Sequence, residues 1–580
     1  MARNAATANY APRKPTTTIL YELVRRHLET FLAYVRENYS KPLPKYVVDA
    51  FRSYLACGVL SEGFARVRCP HCRYEFVVGY SCKGRGICPS CSGRRMANEA
   101  AQIVDRVLPS APIRQWVLSL PYELRMLVAT KPEVLRETAR LFVDVVSKQM
   151  AKRSGHPKAK TGAITFVQRF GGSLNLNVHF HTLFIDGVLL PNADGPPSFV
   201  ALPSPAKDDI AAVATKTRDR LVRWLRKHGY ADGSNRCEQS NDPDDVAAID
   251  ACAQTALAPG LFAKLGDKGE HKTNGPDDEV TFERKESKYT AIVDGFNVHA
   301  GVHVAASSDI GREKLVRYCC RPAFALDRIS MLPNGNVAYE IKYPRKGKTH
   351  RIMTPVEFLA RIAALVPPPK YPLVRYHGVL APSSKLRALV VPKPPLKKCK
   401  ADSHADHQHD AATKQAATEV AAPPARPAID TSQDDIDKRQ SGEASTVNGS
   451  TTGATTGDSV FANPLPAPKP AAVSAHTGAA NALPLPLRPT ALPAVLSGAH
   501  MERLLEGALL AKGPYVDWAS LLRRTFGFDV LACPRCGAQM RVISMLHDPQ
   551  EIAKILTHIG QPTRAPPLER ARSASDDEVA

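Results

Sequence analysis

Two sets of residues in this sequence have the types and the spacing to do chemistry. The first is thiol. Cys69-x-x-Cys72 and Cys88-x-x-Cys91 are separated by residues 73–87, and each pair carries a proline behind its first cysteine, Pro70 and Pro89. Two thiolate pairs at this spacing can close a tetrahedron around zinc. Four protein ligands leave no open position for substrate, so the ion is expected to serve folding. Cys82 lies between the pairs as a spare thiol that can replace one ligand or lie outside the shell. Cys533-Pro-Arg-Cys536 is half of a further site. His547 and His558 are its downstream candidates, at a spacing no standard finger uses, so a second zinc stands open against a degenerate ribbon kept for packing or DNA contact.

The second set is His179-Phe180-His181. On a strand the two imidazoles share one face while Phe180 faces the core. Imidazoles at i and i+2 can hold one divalent ion and leave positions for phosphate oxygens and water. A hairpin turn at Gly171–Ser173 would bring Gln168 alongside as third ligand. Further on, Tyr318 follows Lys314 by four residues and precedes Arg321 by three, so the three share a helical face. A tyrosine hydroxyl beside a divalent ion and two cations can attack a polarised phosphodiester, and the phosphotyrosine link conserves the bond energy for rejoining. Taken singly, each part has a plainer reading: paired histidines on a half-exposed strand are commonly structural, and Tyr318 is then a core aromatic. His299 and His303 are expected to be structural or to contact DNA, and His71 to be an exposed knuckle residue. The charge run Lys393–Lys400 reads as a solvated linker edge.

These groups need elements to hold them. Residues 17–57 read as two helices, the second over Lys45–Leu55, and a helix is expected over Arg94–Leu108. PIRQWVLSLP reads as a strand, PEVLRETARLFVDVVSKQMAKR as a helix beginning near Lys131, and GAITFVQRF with LNLNVHFHTLFIDGVLL as a hairpin. A helix follows around Asp208–Lys227. YTAIVDGFNVHAGVHVAA reads as strand, and SDIGREKLVRYCCRP as a short helix stopped by Pro322. VAYEIKYP and THRIMTP form another hairpin, and TPVEFLARIAALV a closing helix. The expected division is a disordered N-terminus 1–16, a helical zinc-binding domain 17–108, and a catalytic domain 109–392 with an insertion at about 230–280. A disordered linker 393–495 follows, rich in Ala, Pro, Thr, Ser and Asp, then a C-terminal helix with the CxxC module at 496–565 and a disordered tail 566–580.

Composition agrees with such a division. At 580 residues the chain has room for three or four folded units at about 150 residues each. Lys plus Arg is 77 against 56 Asp plus Glu, a formal charge of +21 that calls for an anionic partner, nucleic acid before anionic membrane. No run nears the roughly 18 apolar residues that span a bilayer. Met1–Pro15 is polar with no apolar core, so a secretory leader is not expected. Thirteen cysteines without a leader point to metal in a reducing compartment rather than to disulfides.

The Cys-rich block, RQWVLSLP, VQRFGGSLNLNVHFHTLFIDGV, VRYCCRP, RYHGVLAP and DVLACPRCG occur in the order found in one family. The chain resembles the rolling-circle transposases of the insertion-sequence ninety-one family and its common-region relatives. The resemblance covers most of the chain outside 230–280 and 393–495. It implies an α+β fold, an HUH nuclease with a ferredoxin-like antiparallel sheet and helices, preceded by a helical zinc-ribbon domain and followed by a small zinc-ribbon-like module. It further implies that His179 and His181 are the HUH metal pair with Gln168 as third ligand, binding Mg2+ or Mn2+, and that Tyr318 is the nucleophile with Lys314 and Arg321 as phosphate clamps. Lys314 stands where two-tyrosine members carry their first tyrosine, so the chain resembles single-tyrosine relatives. Cys69, Cys72, Cys88 and Cys91 match the family's zinc-binding domain, and Cys82 falls on a recurring family cysteine. The implied partners are single-stranded element ends, hairpins and target DNA, in a bacterial cytoplasm at the nucleoid, with oligomers allowed and no membrane. The rival readings are a replication initiator with the same chemistry and a non-catalytic zinc protein that binds DNA.

Overall fold

Six antiparallel strands form the sheet on which the histidines lie. The computed structural model describes residues 13–193, 195–230, 247–257, 287–345, 348–392, 518–526 and 529–572. All of these belong to one unit formed by Met1–Pro394 and Gly478–Ala580. The expected linker core, the Lys393–Lys400 run and the helix near Met501 lie outside the described residues.

The chain enters through α1 (Ile19–Asn38), whose first turn is capped by Thr18 accepting from the Tyr21 amide at 3.3 Å. Leu20, Val24, Leu28, Phe31 and Val35 form its buried stripe. α2 (Lys45–Leu55) packs Phe51 edge-on to Phe31, ring centroids 6.3 Å apart. A hairpin of β1 (Phe64–Arg68) and β2 (Glu75–Gly79) follows, then α3 (Pro89–Arg106). This helix begins five residues before the expected Arg94, because Pro89 suits a first helical position.

Next come β3 (Ile113–Ser119), α4 (Tyr122–Thr130), α5 (Pro132–Ser154), β4 (Gly162–Phe170) and β5 (Leu176–Ile185). A separate hairpin, β6 (Gly187–Asn192) and β7 (Gly195–Ala201), leads to α6 (Lys207–Lys227) and α7 (Ala248–Leu257). β8 (Thr290–Val293), β9 (Phe296–Val304) and α8 (Asp309–Cys319) follow. A three-stranded sheet of β10 (Ile329–Met331), β11 (Val337–Arg345) and β12 (Lys348–Met353) precedes α9 (Pro355–Leu365) and β13 (Val374–Gly378). At the far end a helix Trp518–Phe526, β14 (Arg541–Leu546) and a helix Pro549–His558 complete the described chain.

The main sheet runs β13-β4-β5-β3-β9-β8, with every neighbour antiparallel. Its two faces meet different helices. Trp116, Leu118, Val167, Val178, Phe180 and Phe184 join the larger core with α1, α5 and α9. Ile113, Ile164, Phe166, Leu183 and Ile185 meet Ile103 and Val104 of α3 and Leu315 and Val316 of α8. His179, His181 and Gln168 are on the second face, under α8, since side chains alternate along a strand.

Several expectations are corrected. The long strand through LNLNVHFHTLFIDGVLL breaks at Asp186, whose carboxylate accepts two bonds from the Arg114 Nε at 3.0 Å inside the fold. YTAIVDGFNVHAGVHVAA is a hairpin and not one strand. Asp294 and Gly295, at φ 47° and 77°, make its two-residue turn between Val293 and Phe296. The expected insertion contains α7, with Ala251 and Cys252 fully buried, while 231–246 and 258–286 lie outside the described residues. The expected disordered ends are held as far as they are described: Arg13 donates to the Cys57 carbonyl at 2.9 Å, and Glu569 pairs with Arg25 at 3.0 Å.

Phe180 is 0% exposed on the face opposite the histidines. Phe180→Ala is expected to cost about 3–5 kcal/mol of stability, read as a lowered melting temperature.

Candidate active site and metal centres

Strand register assembles the first site. Gln168 of β4 lies opposite His179 of β5, and Phe166 opposite His181. The two imidazole centroids are 4.8 Å apart. Across from them stands the end of α8: Tyr318 presents its ring edge-on to His181, centroids 5.5 Å apart at 85°. Tyr318 is 41% exposed, so it is no core aromatic. Lys314 is exposed one turn earlier on the same helix. The Arg321 guanidinium lies 5.2 Å from the Tyr318 ring and 5.2 Å from that of Phe170. The sequence-derived candidates His179, His181, Gln168, Tyr318 and Arg321 therefore come together.

The face holds unmet hydrogen-bonding capacity. Gln168 Nε2 donates to the carbonyls of Tyr318 at 3.0 Å and Cys319 at 2.8 Å, which leaves its Oε1 buried with no partner in the protein. His181 Nε2 and Asn177 Oδ1 are buried without partners as well. Three such atoms on one face are costly unless something fills them. Asn177, His179 and His181 alternate along β5, so all three side chains are on that face. His179 donates from Nδ1 to the Asn177 carbonyl at 2.9 Å, which leaves Nε2 with its lone pair. The Gln115 amide nitrogen meets His181 Nδ1 at 2.9 Å and donates to Cys319 Sγ at 3.3 Å. A half-turn of that amide exchanges its oxygen and nitrogen without changing its shape, and with oxygen inward the proton stays on Nδ1 and Nε2 is bare. Burial pushes His179 down to about 4, helped by the charges of Arg321 and Arg125, and drives His181 well below the usual range. Both are neutral at pH 7, as metal ligands must be. The donor set of two imidazoles and one or two amide oxygens suits a divalent cation.

Asn177, Gln115 and Arg125 were not singled out from sequence. The Asn-x-His-x-His alternation was the available signal for Asn177; nothing in one sequence marks the other two. His299 is satisfied by Thr290 Oγ1 at 2.9 Å and by the Gly301 amide at 3.3 Å, and His303 faces Asp186 at 3.5 Å, so both fall outside the site. His71 is exposed.

The thiols are grouped differently from expectation. Cys57, Cys82, Cys88 and Cys91 form one cluster, and Cys69, Cys72, Cys533 and Cys536 another, each with all sulfurs within 4.8 Å. Cys69 and Cys72 thus do not join Cys88 and Cys91. In the first cluster the sulfurs of Cys57 and Cys91 are 3.6 Å apart, Cys82 and Cys91 3.5 Å, and Cys57 and Cys88 3.6 Å. Tetrahedral thiolates about 2.3 Å from zinc are roughly 3.7 Å apart, so the cage has the right size. The cause of the regrouping is geometric. Cys88 caps α3 and turns Cys91 back towards the end of α2, where Cys57 waits, while Cys69 and Cys72 sit at the far end of the β1–β2 hairpin. Cys82 enters the shell, and Cys57, which had no ligand spacing, becomes the fourth thiol. In the second cluster the backbone amide of Cys72 holds the Cys69 thiol down at about 6. His547 stacks on Tyr80 at 4.7 Å instead of completing that site. Around the first cluster Lys83, Arg94 and Arg95 are exposed, whereas Arg85 is spent on the carbonyls of Tyr371 at 2.9 Å and Pro368 at 2.8 Å.

Residues 162–387 match the family model Y2_Tnp, a transposase family, and residues 23–120 match Zn_Tnp_IS91, the transposase zinc-binding domain. The chain belongs with the IS91-family transposases. That family implies DNA as the partner, and its zinc-binding domain accounts for the first thiol cluster. The Y2_Tnp match contains Gln168, His179, His181 and Tyr318, and the zinc-binding match contains the whole first thiol cluster. No curated protein and no solved structure matches the transposase. Among the described residues, no helix is long and apolar enough to cross a membrane.

Two outcomes follow for solution measurements. Cys57→Ser is expected to lower the zinc content by one equivalent per chain in elemental analysis, although no sequence spacing marks Cys57. His377 of β13 is pushed by burial from 6.5 down to about 4. Between those values the unfolded chain takes up a proton that the folded chain does not, so stability falls as pH drops from about 6.5 to 4. In His377→Gln, urea titrations across that range should show a flatter dependence.

Proposed function

We propose that this transposase cleaves and rejoins single-stranded DNA at element ends, as in rolling-circle transposition, with Tyr318 as its nucleophile. The observation that carries the reading is Tyr318 at the surface, its ring 5.5 Å from His181, above a buried face with three unpartnered polar atoms. A packing role alone would leave these buried polar atoms without partners beside an exposed phenol.

His179 and His181 with Gln168, and Asn177 beside them, would hold Mg2+ or Mn2+. When bound, such an ion supplies positive charge to a phosphate oxygen. The remaining work falls to the chain. β4 and β5 hold the ligand face rigid, and α8 delivers the phenol to its rim. Arg321, stacked on Tyr318 and Phe170, and Lys314 one turn back, offer cations to the non-bridging oxygens of the scissile phosphate. The phenol oxygen bonds to phosphorus and the bond from phosphorus to the 3′ oxygen breaks. The strand on one side becomes a 5′-phosphotyrosine, and the other departs as a 3′-hydroxyl, which receives the proton the phenol gave up to solvent. A 3′-hydroxyl attacking the phosphotyrosine reverses the exchange and rejoins DNA. With Lys314 where a second tyrosine would stand, the later transfer requires a second subunit, a water or a strand 3′-hydroxyl. The exposed Lys83, Arg94 and Arg95 around the first thiol cluster would bind the phosphates of the element end.

A labelled single-stranded end incubated with protein and Mg2+ or Mn2+ should yield a covalent protein–DNA product that chelation prevents. Tyr318→Phe is expected to reduce it by about 10³-fold or more, and His179→Ala with His181→Ala to remove it while DNA affinity stays within a few-fold. Undiminished product from Tyr318→Phe would take the nucleophile's role away from Tyr318.

A further inference from the structure

The second thiol cluster joins parts of the chain that are far apart in sequence. Cys69 Sγ lies 3.5 Å from Cys536 Sγ, and Cys72 Sγ 3.4 Å from Cys533 Sγ, across 467 and 461 residues. The two CxxC turns are built alike. In one, the Arg73 amide donates to the Cys69 carbonyl at 3.1 Å and the Cys69 amide to the Tyr74 carbonyl at 2.8 Å. In the other, the Gly537 amide donates to the Cys533 carbonyl at 2.8 Å and the Cys533 amide to the Ala538 carbonyl at 2.9 Å. Arg73 and Gly537, the residues after each pair, are both left-handed, at φ 60° and 72°. Pro70 and Pro534 hold the same place in each turn. Two matched knuckles facing each other, with sulfurs at tetrahedral separation, form a closed four-thiolate cage.

The segment so fastened reaches the tyrosine helix. β14 pairs with β1 from Phe64↔Leu546 to Arg68↔Arg541. The helix Trp518–Phe526 sets Leu521 against Ala97 and Ala101 of α3. From it Arg524, 9% exposed, bonds Asp105 of α3 at 2.9 Å and Glu313 of α8 at 2.9 Å. Thr525 accepts from Arg317 of α8 at 3.3 Å. Glu313 is five residues before Tyr318, on the same short helix. Glu313 also pairs with Arg317 on its own helix, and Arg524 is the cation that Glu313 shares with Asp105, so it ties α8 to α3 across the C-terminal helix.

We propose that Cys69, Cys72, Cys533 and Cys536 hold a second structural zinc ion that fastens the C-terminal segment onto the N-terminal hairpin, and that this segment positions the Tyr318 helix through Arg524. Arg524 is a positioning residue and touches no substrate. The consequence for strand cleavage rests on the Tyr318 reading; the metal and the brace do not.

The test uses full-length protein with a protease site inserted within residues 395–477. The intact chain is expected to carry two zinc equivalents, and Cys533→Ser with Cys536→Ser to carry one, the retained ion reporting that the N-terminal domain has folded. After cleavage the C-terminal fragment should stay bound in the parent and leave in the double variant. Two zinc equivalents in the double variant, or a fragment that leaves the parent while both ions remain, would overturn the fastener. Arg524→Ala should keep both ions and exchange the amide hydrogens of Asp309–Cys319 roughly tenfold faster, with Arg524→Lys in between. Unchanged exchange in that helix would overturn the brace. Where exchange rises as expected but covalent DNA product is the same, the brace stands and the nucleophile assignment fails instead.

Discussion

The amide of Gln168 links the two halves of the site. Its nitrogen grips the carbonyls at the end of α8, and its oxygen is left facing the histidine side of the sheet. One side chain thus fixes where the phenol stands and contributes to the face the phenol overlooks. A buried amide with both ends satisfied would be a packing device; this one has its oxygen unpaired, beside an unpaired imidazole nitrogen and a second unpaired amide oxygen, and so keeps capacity for a ligand. The rigidity of this face comes from its position. β5 and β3 are central strands, flanked on both sides, so neither can shift register without breaking two ladders.

α8 is short and half of it is surface, so its placement cannot come from its own helix propensity. Three separate elements hold it. The sheet holds its end through Gln168, and α3 takes Leu315 and Val316 into the smaller core. The C-terminal segment takes Glu313 and Arg317. The last of these is unusual in arriving from beyond a long stretch of sequence. The phenol of Tyr318 thus stands on a helix that the C-terminal segment also touches.

Local pattern made the grouping of the candidate residues legible in the sequence. Alternation along LNLNVHFHTLF placed His179 and His181 on one face, and the Gly171–Ser173 turn set the register that puts Gln168 opposite His179. Helical spacing put Lys314 and Tyr318 together, and both are exposed. What failed was pairing over distance. The Cys69 and Cys72 pair has two possible partners of the same chemistry, and spacing cannot say which one the fold brings near. Cys57 has no neighbour at ligand spacing and enters its cluster only through the turn after α2. The repeated Cys-Pro-x-Cys with a left-handed residue behind it would have matched 533–537 to 69–73, because a helix-capping pair such as Cys88–Cys91 needs no such turn. Asp294-Gly295 was a readable hairpin signal inside an apparently continuous strand, and the break at Asp186 required knowing that Arg114 stood opposite.

The central claim is that the phenol of Tyr318 and the imidazole face act on one phosphodiester. The most direct measurement is peptide mapping of the covalent product formed with a single-stranded end. After nuclease trimming and trypsin digestion, mass spectrometry should find the residual nucleotide on the peptide that begins at Tyr318, with the phosphate on the phenol oxygen. A nucleotide found on another tyrosine, or on a serine or a cysteine, would contradict the account.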